Sequence, residues 1–137
     1  FWPGAEPVKE YAEKSPVKDS IKFIGFVNNA VLPDLYRDAT LYIFPSLFEG
    51  FGLSLVEAMA CGVPAACSNN SSLAEVGGDA VITFDPENPD DIAFAMNKML
   101  SSRPLREDMI NRGLLRAKDF DWNEHASKLV EMYEKRT

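Results

Sequence analysis

Short β-rich apolar runs alternate with stretches of helical periodicity over the first two thirds of the chain, and this alternation limits the fold more than any other feature. The runs are IKFIGF (Ile21 to Phe26), LYIFPS (Leu41 to Ser46), PAACS (Pro64 to Ser68) and AVITF (Ala80 to Phe84). Three of them are nearly continuous in apolar residues, as expected of strands covered on both faces. Between them, Ala30 to Ala39 places Leu32, Leu35, Tyr36 and Ala39 at helical spacing. Gly52 to Cys61 reads as a second helix, stopped by Gly62 and Pro64, and Ser71 to Val76 as a short third one with a serine available as N-cap. A β-α-β-α-β order predicts a Rossmann-like parallel α/β sheet with helices on both faces.

After Phe84 the pattern changes. A polar turn, DPENPDD, leads to a helix start near Pro89, and three amphipathic helices follow without strands. The chain therefore reads as one domain of 137 residues, with an α/β core over 1–84 and a helical tail over 85–137. It contains no repeat and no low-complexity segment. Its first residue is Phe1 rather than Met, which predicts that upstream sequence is missing.

Net charge is −7 and basic residues form no cluster, so a nucleic-acid partner is not expected. Any phosphate would have to be met locally, by backbone N–H groups or a few placed cations. No apolar run is long enough to span a membrane, and no signal peptide is evident. Cys61 and Cys67 lack metal-ligand spacing and His125 is distant in sequence, so they read as small buried hydrophobes.

The informative stretch is PSLFEGFGLSLVEAMACGVP, Pro45 to Pro64. A strand, a glycine-containing loop and a helix follow one another directly. Such a unit aims unpaired N–H groups and the positive end of a helix dipole at the carboxyl edge of the sheet, a ready anion site. Gly50 and Gly52 let the backbone approach a ligand and supply φ > 0 where required. Glu57 is the one charge between Gly52 and Ala66. In a helix apolar all round, and therefore expected to be buried, a carboxylate needs partners. Two ribose hydroxyls would serve, or a cation from another segment. Glu49 stands in the preceding loop, where it would repel an adjacent phosphate and suit the neutral hydroxyls of a sugar.

The stretch E-G-F-G-L-S-L-V-E resembles the Glu-x7-Glu motif of retaining glycosyltransferases of the GT-B fold, in particular glycosyltransferase family 4. The likeness continues through F-I-G-F-V before it, A-C-G-V-P and S-S-L-A-E-V-G-G-D-A after it, and a tail ending in F-D-W. The resemblance implies that the chain is the C-terminal, donor-binding half of an enzyme that transfers a sugar from a nucleoside diphosphate sugar to an acceptor hydroxyl with retention. It implies that Glu57 binds the donor ribose and that Glu49, the catalytic candidate, lies against the donor sugar. The amides of Phe51, Gly52 and Leu53 would meet the sugar and distal phosphate, and Val27 would lie near the base. It also implies no cofactor, no metal, an N-terminal acceptor-binding domain in the same polypeptide, and a cytoplasmic location, peripheral to the membrane in the full-length protein.

The departures are equally informative. The family's diphosphate-binding Arg and Lys come from upstream segments, and its first two strands, which lie between the Ile21 and Leu41 strands, have no counterpart here. Either upstream chain completes the sheet, or strands exchange within a homodimer, and the fragment alone is expected to be inactive. Competing readings are a non-catalytic nucleotide-binding subunit and a nucleotide-sugar epimerase, although an epimerase would lack the paired acids. A dinucleotide oxidoreductase lacks support, since G-x-G-x-x-G is missing. Asp119-Phe120-Asp121 has the form of a metal–diphosphate D-x-D but stands between helices, where Asp121 is placed to cap. Ser71 or Ser72 is expected to cap its helix rather than touch the donor.

Overall fold

The computed structural model describes residues 5–135. The chain falls into two compact units, residues 1–32 and 33–137.

In the first unit, helix α1 (Glu6–Glu13) begins with an acid in its first turn and Pro7 among its first positions, both favourable at a helix start. This helix is not among the elements expected from the sequence. A 3-10 turn (Lys18–Ser20) follows. The expected strand at Ile21 to Phe26 does not form. Ile21 is extended, but Gly25 has φ of 63°, which breaks the run, and Phe26 is 93% exposed. A strand exists only through backbone pairing with a neighbour, and among the described residues this segment has none.

The second unit carries the sheet. Helix α2 (Leu32–Arg37) leads into β1 (Tyr42–Phe44), α3 (Leu53–Ala60), β2 (Ala65–Ser68), α4 (Leu73–Gly77) and β3 (Val81–Phe84). Helices α5 (Pro89–Ser101), α6 (Arg103–Ala117) and α7 (Trp122–Glu134) follow. The strands are parallel in the order β1-β2-β3, with Tyr42 opposite Ala65 and Ala65 opposite Val81. Parallel neighbours need crossovers, and α3 and α4 supply them. The fold is thus the expected parallel α/β arrangement with a helical C-terminal part.

Strand β2 is buried at every position. Because side chains alternate along a strand, it feeds two cores. Ala65 and Cys67 join Leu55 and Met59 of α3 and Leu73 and Val76 of α4. On the opposite face, Ala66 joins Phe84, Ala95 and Met99 of α5, and Met109 of α6. Helix α6 also packs on α3, and Gly113 makes room there: a Cβ would lie 3.4 Å from the Met59 Cβ.

Helix starts follow local rules. The Asn88 side chain accepts from the N–H groups of Asp90 and Asp91, Ser102 from Leu105, and Asp121 from Asn123 and Glu124. Asp121 is therefore the expected cap of α7. Asp119 pairs with Arg116 at 2.9 Å, so both acids of the D-x-D are engaged structurally. Among the described residues, no helix is long and apolar enough to cross a membrane.

Cys67 is fully buried, as expected, whereas Cys61 is partly accessible. Burial pushes the Cys67 thiol from 9.0 up to about 11. The neutral thiol is the favoured form in the fold, so its contribution to stability is complete below pH 9 and is lost as pH rises toward 11. Peptide mapping after iodoacetamide treatment at pH 8 should find Cys61 alkylated and Cys67 protected, and Cys67→Ala should flatten the alkaline loss of stability.

Candidate functional site

Two loops meet at the carboxyl edge of the sheet. One follows β1 and carries Ser46 to Gly52; the other follows β2 and carries Asn69 to Ser72. Hydrogen bonds lace them together. Asn70 Nδ2 donates to the Leu47 carbonyl at 2.9 Å, and buried Ser68 donates from Oγ to the Phe44 carbonyl at 3.3 Å. The Glu49 N–H donates to Ser71 Oγ at 3.2 Å, and Ser72 Oγ donates to the Glu49 carbonyl at 2.9 Å. Neither serine makes a side-chain cap on α4, contrary to expectation. The hydroxyls are committed across to the neighbouring loop instead.

Glu49 is half-buried and its Oε1 accepts from Ser46 Oγ at 3.0 Å. Gly50 is exposed and has no positive φ; Gly52 alone in this loop uses it, at 97°. Gly52 is the N-cap of α3, and its carbonyl accepts the first helical bonds, from Leu55 and Val56. The amides of Gly52, Leu53 and Ser54 therefore precede the hydrogen-bonded ladder, where a ligand anion could be met. Phe51 packs edge-on against Phe120, with ring centroids 5.4 Å apart, and Leu53 is exposed at the first helical position.

Glu57 departs from expectation. Helix α3 is not buried all round: Leu55, Ala58 and Met59 face the core, while Leu53, Glu57 and Ala60 are exposed. An apolar composition hid a one-sided helix, because Leu53 and Ala60 line a cavity instead of a core. That cavity, of about 530 Å³, is also lined by Phe51, Glu57, Phe120, Trp122 and His125. Glu57 forms no ion pair with a cation among the described residues. Its Oε2 accepts from the Tyr36 hydroxyl at 3.2 Å. That distance is longer than a strong charge-assisted O–H···O⁻ bond, so the carboxylate keeps most of its capacity to accept.

The sequence reads Tyr36 only as part of an apolar helix face, and its hydroxyl role has no separate signal. Burial, then the nearby Tyr42 and Glu57, raise the Tyr36 pKa well above the ordinary phenol value. The phenol therefore stays protonated and able to donate at neutral pH. Tyr42 stacks edge-on with Tyr36 at 5.6 Å and is raised as well, chiefly by burial. Val27 lies in the first unit, half-buried in an irregular stretch.

The loop geometry depends on Gly52. A Cβ there would collide with Leu73 Cδ2, and the left-handed conformation penalises any side chain. Gly52→Ala should cost about 1–3 kcal/mol from backbone strain alone, read as a lower midpoint in urea denaturation.

Residues 2–116 match the model of the family described as glycosyl transferases group 1. The chain is 39% identical over 124 residues to O-antigen chain mannosyltransferase B of Escherichia coli, covering 90% of this chain and 32% of that protein. It is 31% identical over 133 residues to mannosylfructose-phosphate synthase of Agrobacterium fabrum, covering 95% of this chain and 29% of that one. The fold is similar to that of sucrose-phosphate synthase from Thermosynechococcus elongatus, with a TM-score of 0.87 and 23% identity over 95% of this chain and 33% of that chain. The chain thus spans about a third of the length of each of these three proteins.

Proposed function

The chain belongs to the glycosyl transferases group 1 family, and from that membership we propose that it is the donor-binding half of a retaining glycosyltransferase of the family 4 type. The enzyme moves a sugar from a nucleoside diphosphate sugar to an acceptor hydroxyl. The observation that carries this reading is the placement of Glu57. Its carboxylate stands on the wall of a cavity, free of cations among the described residues and incompletely satisfied by Tyr36. An acceptor of that kind suits the paired hydroxyls of a ribose.

The remaining parts follow from chemistry. Breaking a glycosyl–phosphate bond leaves negative charge on the departing diphosphate and positive charge on the sugar ring. The amino end of α3, with the amides of Phe51, Gly52 and Leu53, meets part of the first. The Glu49 carboxylate offsets the second. Val27 is assigned to the base.

No metal or cofactor has a role in this scheme. The missing cations and the acceptor site belong to an N-terminal domain of the same polypeptide. The outer edge of β1 is unpaired among the described residues, and upstream chain or an exchanged strand of a homodimer would pair there. The full-length protein works in the cytoplasm, peripheral to the membrane. Two of the similar proteins carry mannosyl in their names, so a mannosyl donor is the first to test.

Calorimetric titration of the full-length protein with UDP, GDP and ADP should identify one nucleotide that binds. Glu57→Ala should weaken it by about 1–3 kcal/mol; an unchanged affinity would remove the ribose assignment. Nucleotide binding with no transfer from any donor sugar would favour a non-catalytic subunit instead.

A further inference from the structure

Glu49 is held with unusual completeness for a loop residue. Its peptide N–H is bound by Ser71 and its carbonyl by Ser72, while Ser46 holds Oε1. Ser46 has one proton to share between that oxygen and the Phe48 carbonyl, 3.2 Å away. The other carboxylate oxygen, Oε2, has no partner among the described residues. Backbone and side chain are therefore both oriented, and one acceptor atom is left open.

The element that does the holding is itself strained. Ser71 is the one non-glycine with positive φ among the described residues, at 52°. A β-carbon makes this conformation costly, and a glycine would adopt it without penalty. A serine at this position has a reason in its hydroxyl, which accepts from Glu49 only if the backbone turns this way. The adjoining Asn70 and Ser72 contact the same loop, to Leu47 and Glu49, so three consecutive side chains of the turn face one target.

We propose that Ser71 and Ser72 are positioning residues for Glu49, fixing its peptide from both sides so that its open carboxylate oxygen faces the sugar of the donor. This rests on the reading of Glu49 as the acid beside that sugar. The two hydroxyls act through Glu49 and touch neither the ribose, assigned to Glu57, nor the phosphates, assigned to the amides at the start of α3. Their removal should thus affect recognition of the sugar and spare recognition of the nucleotide.

The test compares a free nucleoside diphosphate with its sugar conjugate on the full-length protein: GDP with GDP-mannose, and UDP with UDP-glucose. In Ser71→Gly and Ser72→Ala the affinity for the free diphosphate should hold, while the affinity for the conjugate falls roughly fivefold for each hydrogen bond lost. Ser72→Thr keeps the hydroxyl and should restore it. Ser71→Gly relieves the left-handed strain, which offsets the lost hydrogen bond and the freer unfolded chain, and its Tm, measured alongside, separates a lower conjugate affinity from unfolding. The proposal is overturned if both serine variants bind the conjugate as the parent does while Glu49→Ala loses it. It is equally overturned if diphosphate and conjugate weaken together. Should Glu49→Ala itself leave conjugate affinity unchanged, the assignment of Glu49 fails first, and the positioning role with it.

Discussion

The structure depends on one short strand being small enough to disappear. Ala65, Ala66, Cys67 and Ser68 are all buried, with helices against both faces of the sheet. Dense packing on two sides leaves no room for larger side chains without moving a helix. With β2 central, β1 and β3 are held in register on its flanks, and the loops leaving β1 and β2 emerge side by side at the same edge. The contacts between Ser46–Gly52 and Asn69–Leu73 are a consequence. A parallel sheet places all such loops at the carboxyl end of its strands, where ligands of these folds are bound.

The two acids of the motif are held by different physics. Glu49 sits in a loop and owes its orientation to hydroxyls from two strand ends. Glu57 sits on the fifth position of α3, so its backbone is fixed by the helix, about 6 Å along the axis from Leu53. Its side chain needs only a light restraint, and Tyr36 provides one from the preceding helix. Because the Tyr36 phenol keeps its proton far above neutral pH, this restraint does not switch over the physiological range.

What the sequence discloses and what it hides divide along the same line. Order and type of the sheet elements were legible because each is a local pattern: β2 and β3 as apolar runs, α3 stopped by Gly62, α5 started at Pro89, α7 capped by Asp121. The segment from Ile21 to Phe26 has the same local pattern and forms no strand, since pairing is a property of a neighbour and Gly25 turns the chain away. The exposure of Glu57 was hidden for a related reason. Apolar residues on several sides of a helix predict burial, but some of those around α3 line a cavity. The serines after β2 match a helix-cap pattern as well as they match a bridge to another loop, and only the fold decides between the two. Candidate site residues could be named from the motif, whereas Tyr36, Ser46 and Asn70 carry no signal apart from their place in the fold.

Charge imposes a last constraint on what these loops can bind by themselves. Between Arg37 and Lys98 the sequence contains no Lys, Arg or His, and that interval includes both loops, all three strands and α3. Arg116, which lies near the loop through its stacking on Phe120, is already spent on the Val76 and Glu75 carbonyls and on Asp119. A helix amino end offers roughly half a positive charge, well short of a diphosphate, and Glu49 and Glu57 add negative charge beside it. A site of this composition favours neutral hydroxyls over phosphates. On the proposed reading, tight binding of a nucleoside diphosphate sugar would call for cations from outside residues 38–97.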